Sequence, residues 1–343
     1  MQLQQHVSLY PYNTFHIQAT ARYFAAFTTL EELQEALGTF YSNDPYSTQH
    51  TMLLLGGGSN ILLTKDVDGL VLKNEMRGIE VVNEDNTYYY VRSAAGENWH
   101  KLVMYCVEHN YAGMENLSLI PGSVGASPMQ NIGAYGVETK DIFYQLEAYD
   151  LEEKTVVTFG LEDCRFGYRE SVFKHQYKGR FVILQVTFKL RKSPVFNIAY
   201  GAIKEELEKM QVHELSVQAI SQAVINIRRI KLPDPAVIGN AGSFFKNPVV
   251  DNSHFFQLKE AYPTIPGYAA GEQQTKVAAG WLIEQCGWKG YRNGDAGCYN
   301  KQALVLVNYG QATGDEIYNL SAAIIGSVQD KFGITLEREV NIL

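Results

Sequence analysis

The chain has 343 residues, 46% of them hydrophobic and 19% charged, with a formal net charge of −8. That length exceeds what one compact core usually needs, so two or more domains are expected, and the composition is that of an ordinary globular protein. The acidic balance argues against nucleic-acid or membrane binding, which needs a basic face, but not against an anionic small molecule held by local cations. In chain order, Thr29 followed by Leu30-Glu31-Glu32 reads as a capping box opening a helix whose apolar face is Leu33, Ala36, Leu37 and Phe40. A short apolar strand, 52–55, runs straight into Gly56-Gly57-Gly58-Ser59-Asn60 and a second apolar run, 61–63. Strands are predicted at 70–72, 79–82 and 88–92, then a helix from Glu97 to about Glu108. The segment from Pro121 to Gly136 has no helix or strand pattern, and a structureless loop of that length in a compact domain is usually functional. Strands resume at 142–149, 155–159 and 181–190, and Lys192-Ser193-Pro194 suggests a boundary. Beyond it, helices are predicted at 214–229, 275–286 and 313–331, with strands at 303–307 and near 334–336.

The N-terminus lacks a basic region followed by an apolar run, and no stretch approaches the ~18 apolar residues of a membrane span, so a cytoplasmic protein is expected. Cys106, Cys164, Cys286 and Cys298 are scattered and form no CxxC pair or zinc spacing; they read as free thiols, and no metal is expected. Asn116 and Asn319 begin Asn-x-Ser triplets, discounted because glycosylation needs a secreted chain.

Two segments carry the chemistry. Consecutive glycines at 56–58 let the backbone approach a ligand, although neither GxGxxG nor the Walker pattern is present, and a tight turn between buried strands would explain them as well. The loop Pro121-Gly122-Ser123-Val124-Gly125-Ala126-Ser127-Pro128-Met129-Gln130-Asn131-Ile132-Gly133-Ala134-Tyr135-Gly136 has side chains small or neutral enough to wrap a large flat cofactor while offering backbone N–H donors. Arg228, Arg229, Lys231 and Lys246, against only Asp234, concentrate positive charge in 225–247; a phosphate site and a solvated helix end fit equally.

Together GGGSN and PGSVGASPMQNIGAYG resemble the FAD-binding domain of the UDP-N-acetylenolpyruvoylglucosamine reductase family, which has the p-cresol methylhydroxylase/vanillyl-alcohol oxidase flavin fold. The segment Arg165-Phe166-Gly167-Tyr168-Arg169 is similar to the family's RFGYR, and Gly242-Ser243-Phe244-Phe245-Lys246-Asn247-Pro248 to its GSFFKNP. Leu336-Glu337-Arg338-Glu339-Val340 is similar to its C-terminal LExEV, and Asn13-Thr14-Phe15 to its NTF opening. The matches run in order over nearly the whole chain. Tyr200-Gly201 and the chain length resemble the longer, type I members. The chain stops three residues after the last motif, so contacts made by longer family tails are expected to be missing without affecting the chemistry.

The resemblance implies an α+β protein with a two-part FAD-binding domain over 17–192, split near 73, and a substrate domain with a catalytic tail over 205–343. It implies noncovalent FAD, with NADPH as co-substrate and no obligate protein partner. The FAD contacts it implies are Gly56, Gly57, Gly58, Ser59, Asn60, Pro121, Gly122, Ser123, Gly125, Ala126, Ser127, Gln130, Asn131, Gly133, Ala134 and Gly136. It also implies that NADPH reduces FAD, that flavin N5 delivers hydride to the β-carbon of the enolpyruvyl group, and that UDP-N-acetylmuramate forms, a peptidoglycan precursor. Arg169 matches the arginine that steadies charge on the substrate carboxylate, a task suited to a bidentate, always-protonated fork. Ser243 matches the proton donor, and Glu339 the third catalytic residue. By residue type alone, Arg169 reads as an ordinary salt bridge and Ser243 as a helix cap. In a strand Glu337 and Glu339 share a face, so choosing between them rests on the motif. Lys231 and Tyr200 are matched to the UDP end of the substrate, Asn247 and Gln302 to its sugar or phosphates, and Tyr135 to a place over the substrate. Two alternatives stand: an alcohol or sugar oxidase of the same fold, though many of those hold FAD covalently through a histidine that 56–60 lacks, and a non-enzymatic sugar-nucleotide binder.

Overall fold

The computed structural model describes residues 3–43 and 51–343. The chain forms two compact units: Met1–Val7, Ala21–Gly57 and Val67–Ile230 make the first, and Ser8–Thr20, Gly58–Asp66 and Lys231–Leu343 the second. The unit boundary cuts the GGGSN segment after its second glycine.

The first unit opens with a four-stranded sheet in the order Gln4–Ser8, Thr20–Phe27, Val67–Asn74, Thr51–Leu55. Its last three strands are parallel, and the strand between the other two is buried on both faces, with Leu70, Val71 and Leu72 wholly shielded. Helix Leu30–Asn43 crosses over this sheet and seals it with Leu33, Ala36, Leu37 and Phe40. The Thr29 hydroxyl accepts from Glu32 N at 3.2 Å, but the Glu32 carboxylate reaches past the expected residue to Thr28 N at 2.6 Å. A five-stranded antiparallel sheet follows, ordered Val156–Gly160, Phe143–Asp150, Phe181–Arg191, Tyr88–Ala94, Ile79–Glu84. Helix Trp99–Glu108, capped by Asn98, covers it with Trp99, Leu102, Val103 and Cys106. Helices Gly201–Lys209 and Val217–Lys231 pack on each other through Ile203, Leu207, Ile220, Val224 and Ile227.

The second unit holds an antiparallel sheet ordered Gly239–Ser243, Val305–Asn308, Ala296–Cys298, Arg292–Asn293, and helix Gly314–Phe332, which opens on a Thr313/Glu316 capping box. Strands Val249–Asp251, Gln274–Val277 and Gly267–Ala269 form a small sheet. Three expectations need correction. The helix predicted over 275–286 is a strand, Gln274–Val277, then a helix, Ala279–Gln285; cross-strand pairing on both edges outweighs helical periodicity there. No strand forms at 334–336; the terminal strand is Asn341–Ile342, parallel to Ile61–Leu62. The loop 121–136 contains a 3₁₀ turn, Val124–Ala126, and half of a tiny hairpin, Gly133–Ala134 with Val137–Glu138. Among the described residues no helix is long and apolar enough to cross a membrane.

Candidate active site

The glycine segment and the loop 121–136 meet backbone to backbone in the first unit. A Cβ on Gly57 would sit 2.7 Å from Gly122 Cα, and one on Gly56 would sit 2.3 Å from Ser123 Oγ. No side chain fits at Gly57, where main chain faces main chain, as a cradle for a flat cofactor with a diphosphate requires. Lys73 Nζ donates to Gly56 O at 2.6 Å, and burial pulls its pKa down. The sequence reading passed over Lys73, though a lone charge ending the run Leu70-Val71-Leu72 was a usable signal. Not all loop amides are available to a ligand: Val124 N and Gly125 N donate to Glu97 O and Ala95 O, each at 2.9 Å. The Ser127 hydroxyl turns inward to Val124 O at 2.8 Å. Pro121 and Ala126 are exposed, Gln130 and Ala134 half-buried.

Gly57→Ala tests the cradle. The clash is with backbone, which cannot swing aside, so overpacking should cost about 1–3 kcal/mol. Flavin retention, read as visible absorbance per protein, is expected to fall roughly tenfold. Full retention would mean that the loops separate freely.

The RFGYR segment is a tight turn bolted to the loop 121–136. Gly167 and Glu170 exchange backbone hydrogen bonds of 3.0 and 3.3 Å, leaving Tyr168 and Arg169 at the corner. Three side chains join the turn and the loop: Arg169 Nη2 donates to Gly133 O (2.9 Å) and Ser171 Oγ to Met129 O (2.5 Å), while Asn131 Nδ2, from the loop, donates to Gly167 O (2.9 Å). Asn131 also bonds Glu138 and receives Lys140 N, so its amide is spent on the protein and only its backbone could reach a cofactor. Arg169 has φ +58°, a left-handed conformation costing a non-glycine residue about 1–2 kcal/mol.

Tyr135, also left-handed at φ +51°, packs edge-on to Tyr200 with ring centroids 5.2 Å apart. Asn116 Nδ2 holds the Tyr135 carbonyl at 2.9 Å, so this buried asparagine is a structural bracket. Asn197 Nδ2 donates to Gly136 O at 2.8 Å. Lys231 is exposed at the end of its helix, and Tyr200 precedes helix Gly201–Lys209.

In the second unit Thr14 joins three motifs. Its N–H donates to Gly58 O (3.1 Å) and its hydroxyl to Asn240 O (2.6 Å), which ties the NTF opening and the glycine segment to the strand carrying Ser243. Gly242, at φ +71°, makes a bulge just before Ser243, which pairs with Val305 and stays partly exposed. The C-terminal tail lies alongside: Glu339 N donates to Phe244 O at 2.8 Å, Lys246 N to Glu337 O at 2.9 Å, and Arg338 bridges Phe245. Phe244 thereby links the two: Ser243 precedes it in the chain, and Glu339 is hydrogen-bonded to its carbonyl. Asn60 is brought to the same tail, its O accepting Asn341 N at 3.1 Å and its Nδ2 reaching Glu339 O at 3.4 Å. The two glutamates separate here. Glu337 is exposed and paired with Lys246 Nζ at 2.5 Å, whereas Glu339 is half-buried. Asn247 and Gln302 converge on the start of helix Ala279–Gln285: Asn247 Oδ1 accepts Ala279 N at 2.9 Å, and Gln302 Oε1 lies 3.0 Å from where a Gly280 Cβ would stand.

Ser243 and Glu339 thus belong to the second unit and Arg169 to the first. The two-sheet unit with its paired glycine loops, together with the matches that follow, makes this an FAD-binding oxidoreductase. Residues 21–160 match the model of an FAD-binding domain, and 234–343 match the UDP-N-acetylenolpyruvoylglucosamine reductase C-terminal domain. The chain is 50% identical to the UDP-N-acetylenolpyruvoylglucosamine reductase of Amoebophilus asiaticus over the full length of both. It is 48% identical to that of Pseudomonas savastanoi (100% of this chain, 99% of the other) and 47% identical to that of Flavobacterium johnsoniae (100% of both). The solved structure of the Thermus caldophilus UDP-N-acetylenolpyruvylglucosamine reductase superposes with a TM-score of 0.69 at 23% identity, covering 100% of this chain and 99% of that one. The chain belongs to the UDP-N-acetylenolpyruvoylglucosamine reductase family, and its cofactor is FAD.

Proposed function

We propose that the chain reduces UDP-N-acetylenolpyruvoylglucosamine to UDP-N-acetylmuramate with NADPH, in peptidoglycan precursor synthesis. The observation that carries this reading is the 2.8 Å hydrogen bond from Glu339 N to the carbonyl of Phe244, the residue that follows Ser243. FAD, held by the two glycine loops, supplies the two-electron relay between NADPH and the enolpyruvyl double bond. The chain's own residues handle charge and protons. The Arg169 guanidinium steadies negative charge on the substrate carboxylate. The Ser243 hydroxyl gives its proton to the carbon beside that carboxylate; a serine is a weak acid, but the acceptor is a strongly basic carbon. Glu339, half-buried, orients the donor or a water. Tyr200 and Lys231 are assigned to the nucleotide end, Tyr135 to a place over the substrate, and Asn247 and Gln302, which share one helix start, to the sugar or phosphates.

The test is the visible spectrum of the purified protein. It should be yellow, bleach with NADPH without oxygen, and recover its colour on adding the enolpyruvyl sugar nucleotide. Recovery with oxygen alone would overturn the reading in favour of an oxidase. The glutamates give a second check. Glu339→Gln should lower turnover by about tenfold or more, equivalent to ~1.4 kcal/mol on the barrier. Glu337→Gln, which loses only an exposed pair with Lys246, should stay within roughly threefold.

A further inference from the structure

We infer that His100 is a positioning residue for the Arg228–Tyr135 pair, acting as the neutral hydrogen-bond acceptor that holds Leu119 in its left-handed conformation. The inference rests on the reading that Tyr135 serves the substrate. His100 lies in the first turn of helix Trp99–Glu108, and its Nδ1 is 3.0 Å from Leu119 N. A backbone N–H can only donate, so Nδ1 carries no proton and the ring is the neutral tautomer with its hydrogen on Nε2. Leu119 has φ +58°, a conformation a leucine adopts only when something holds it. Side chains hold both of its polar groups: His100 takes the N–H, and Arg228 Nε donates to the carbonyl at 3.2 Å.

Arg228 continues the chain of contacts. Its guanidinium also interacts electrostatically with the Tyr135 phenol, and burial pulls its pKa down while pushing the phenol's up. The line His100–Leu119–Arg228–Tyr135 ends on the ring that packs against Tyr200. All five residues belong to the first unit. Without the imidazole acceptor, Leu119 N–H is left unsatisfied, the peptide is free to leave its left-handed well, and Arg228 loses the carbonyl that orients it. Tyr135 then loses its fixed partner, and substrate must order what the protein had ordered beforehand.

The neutral state is enforced by the surroundings. Burial lowers the His100 pKa first, and the charges of Arg228 and Arg229 lower it further. A histidine kept neutral by the fold contributes its full stability above the ordinary value of 6.5; the contribution is lost as pH falls below that towards the depressed folded value, because the unfolded chain takes up the proton first.

The test uses the flavin-loaded full chain. His100→Leu keeps bulk but removes the acceptor, and is expected to raise KM for the sugar nucleotide about tenfold with kcat within roughly threefold. His100→Gln offers an amide oxygen to Leu119 N–H and should return KM to within about threefold of the unaltered chain. Nitrogen-15 imidazole NMR of the unaltered chain should show an unprotonated Nδ1 from pH 8 down past ~6.5. An unchanged KM in folded His100→Leu, or a protonated Nδ1 at neutral pH, overturns the inference. If His100→Leu fails to fold, the Gln variant and the NMR signal still decide it. Failure of the unaltered chain to reduce the sugar nucleotide would sink the proposed function instead, leaving the NMR result to judge the His100 contact by itself.

Discussion

Ser243→Ala is expected to bind FAD and accept electrons from NADPH normally, while reoxidation by the enolpyruvyl sugar nucleotide falls by ~10² or more, the usual scale for losing a general acid. The variant is a clean one. Ser243 is partly exposed at the end of its strand, and its place there is set by backbone: the pairing with Val305, the Gly242 bulge and the Asn240 carbonyl held by Thr14 at 2.6 Å. Removing one hydroxyl disturbs none of these. Stopped-flow measurement of the two half-reactions separates the effects, and near-normal reoxidation would remove Ser243 from the donor role.

Arg169→Lys should cost ~10²–10³ in turnover, the scale for losing one charge-stabilising donor. Lysine keeps the charge, and both residues pay the same backbone cost at φ +58°, so strain cancels in the comparison. What differs is the fork. Arg169 donates Nη2 to Gly133 O at 2.9 Å and carries its N–H groups in one rigid plane that matches a carboxylate, whereas an ammonium has no fixed plane to offer. The flavin spectrum serves as control, because Gly133 lies in the loop that the arginine braces. Retained activity with a normal spectrum would mean that a point charge is enough.

Much of the first unit was legible in the sequence. The helix after Thr29 and the strands beginning near 52, 70, 79, 88, 143, 156 and 181 follow from hydrophobic spacing and capping, which are local. The region 275–286 was misread because Thr275–Val277 gains its strand character from partners at 249–251 and 267–269, tens of residues or fewer away but invisible to periodicity. Asn13-Thr14-Phe15 was a weak signal for the same reason. Thr14 matters because it touches Gly58 and Asn240, far away along the chain. His100 left no mark and Arg228 registered only as one of the cations in 225–247, since an acceptor for one backbone N–H and a donor to the same peptide's carbonyl have no spacing rule.

The sequence by itself determined the kind of chemistry: glycine runs that can only serve where backbone approaches closely, and a serine, an arginine and a glutamate in ordered motifs. Only the tertiary structure decided between Glu337 and Glu339 as to surroundings, pairing the first with Lys246 in the open and setting the second, half-buried, beside Phe244. It alone committed the Asn131 side-chain amide to Gly167 and Glu138, which leaves the backbone of that residue for the expected cofactor contact. The physical reason is common to both. Residue type sets what a side chain is able to donate or accept, but which partner claims it depends on distances between segments remote in sequence.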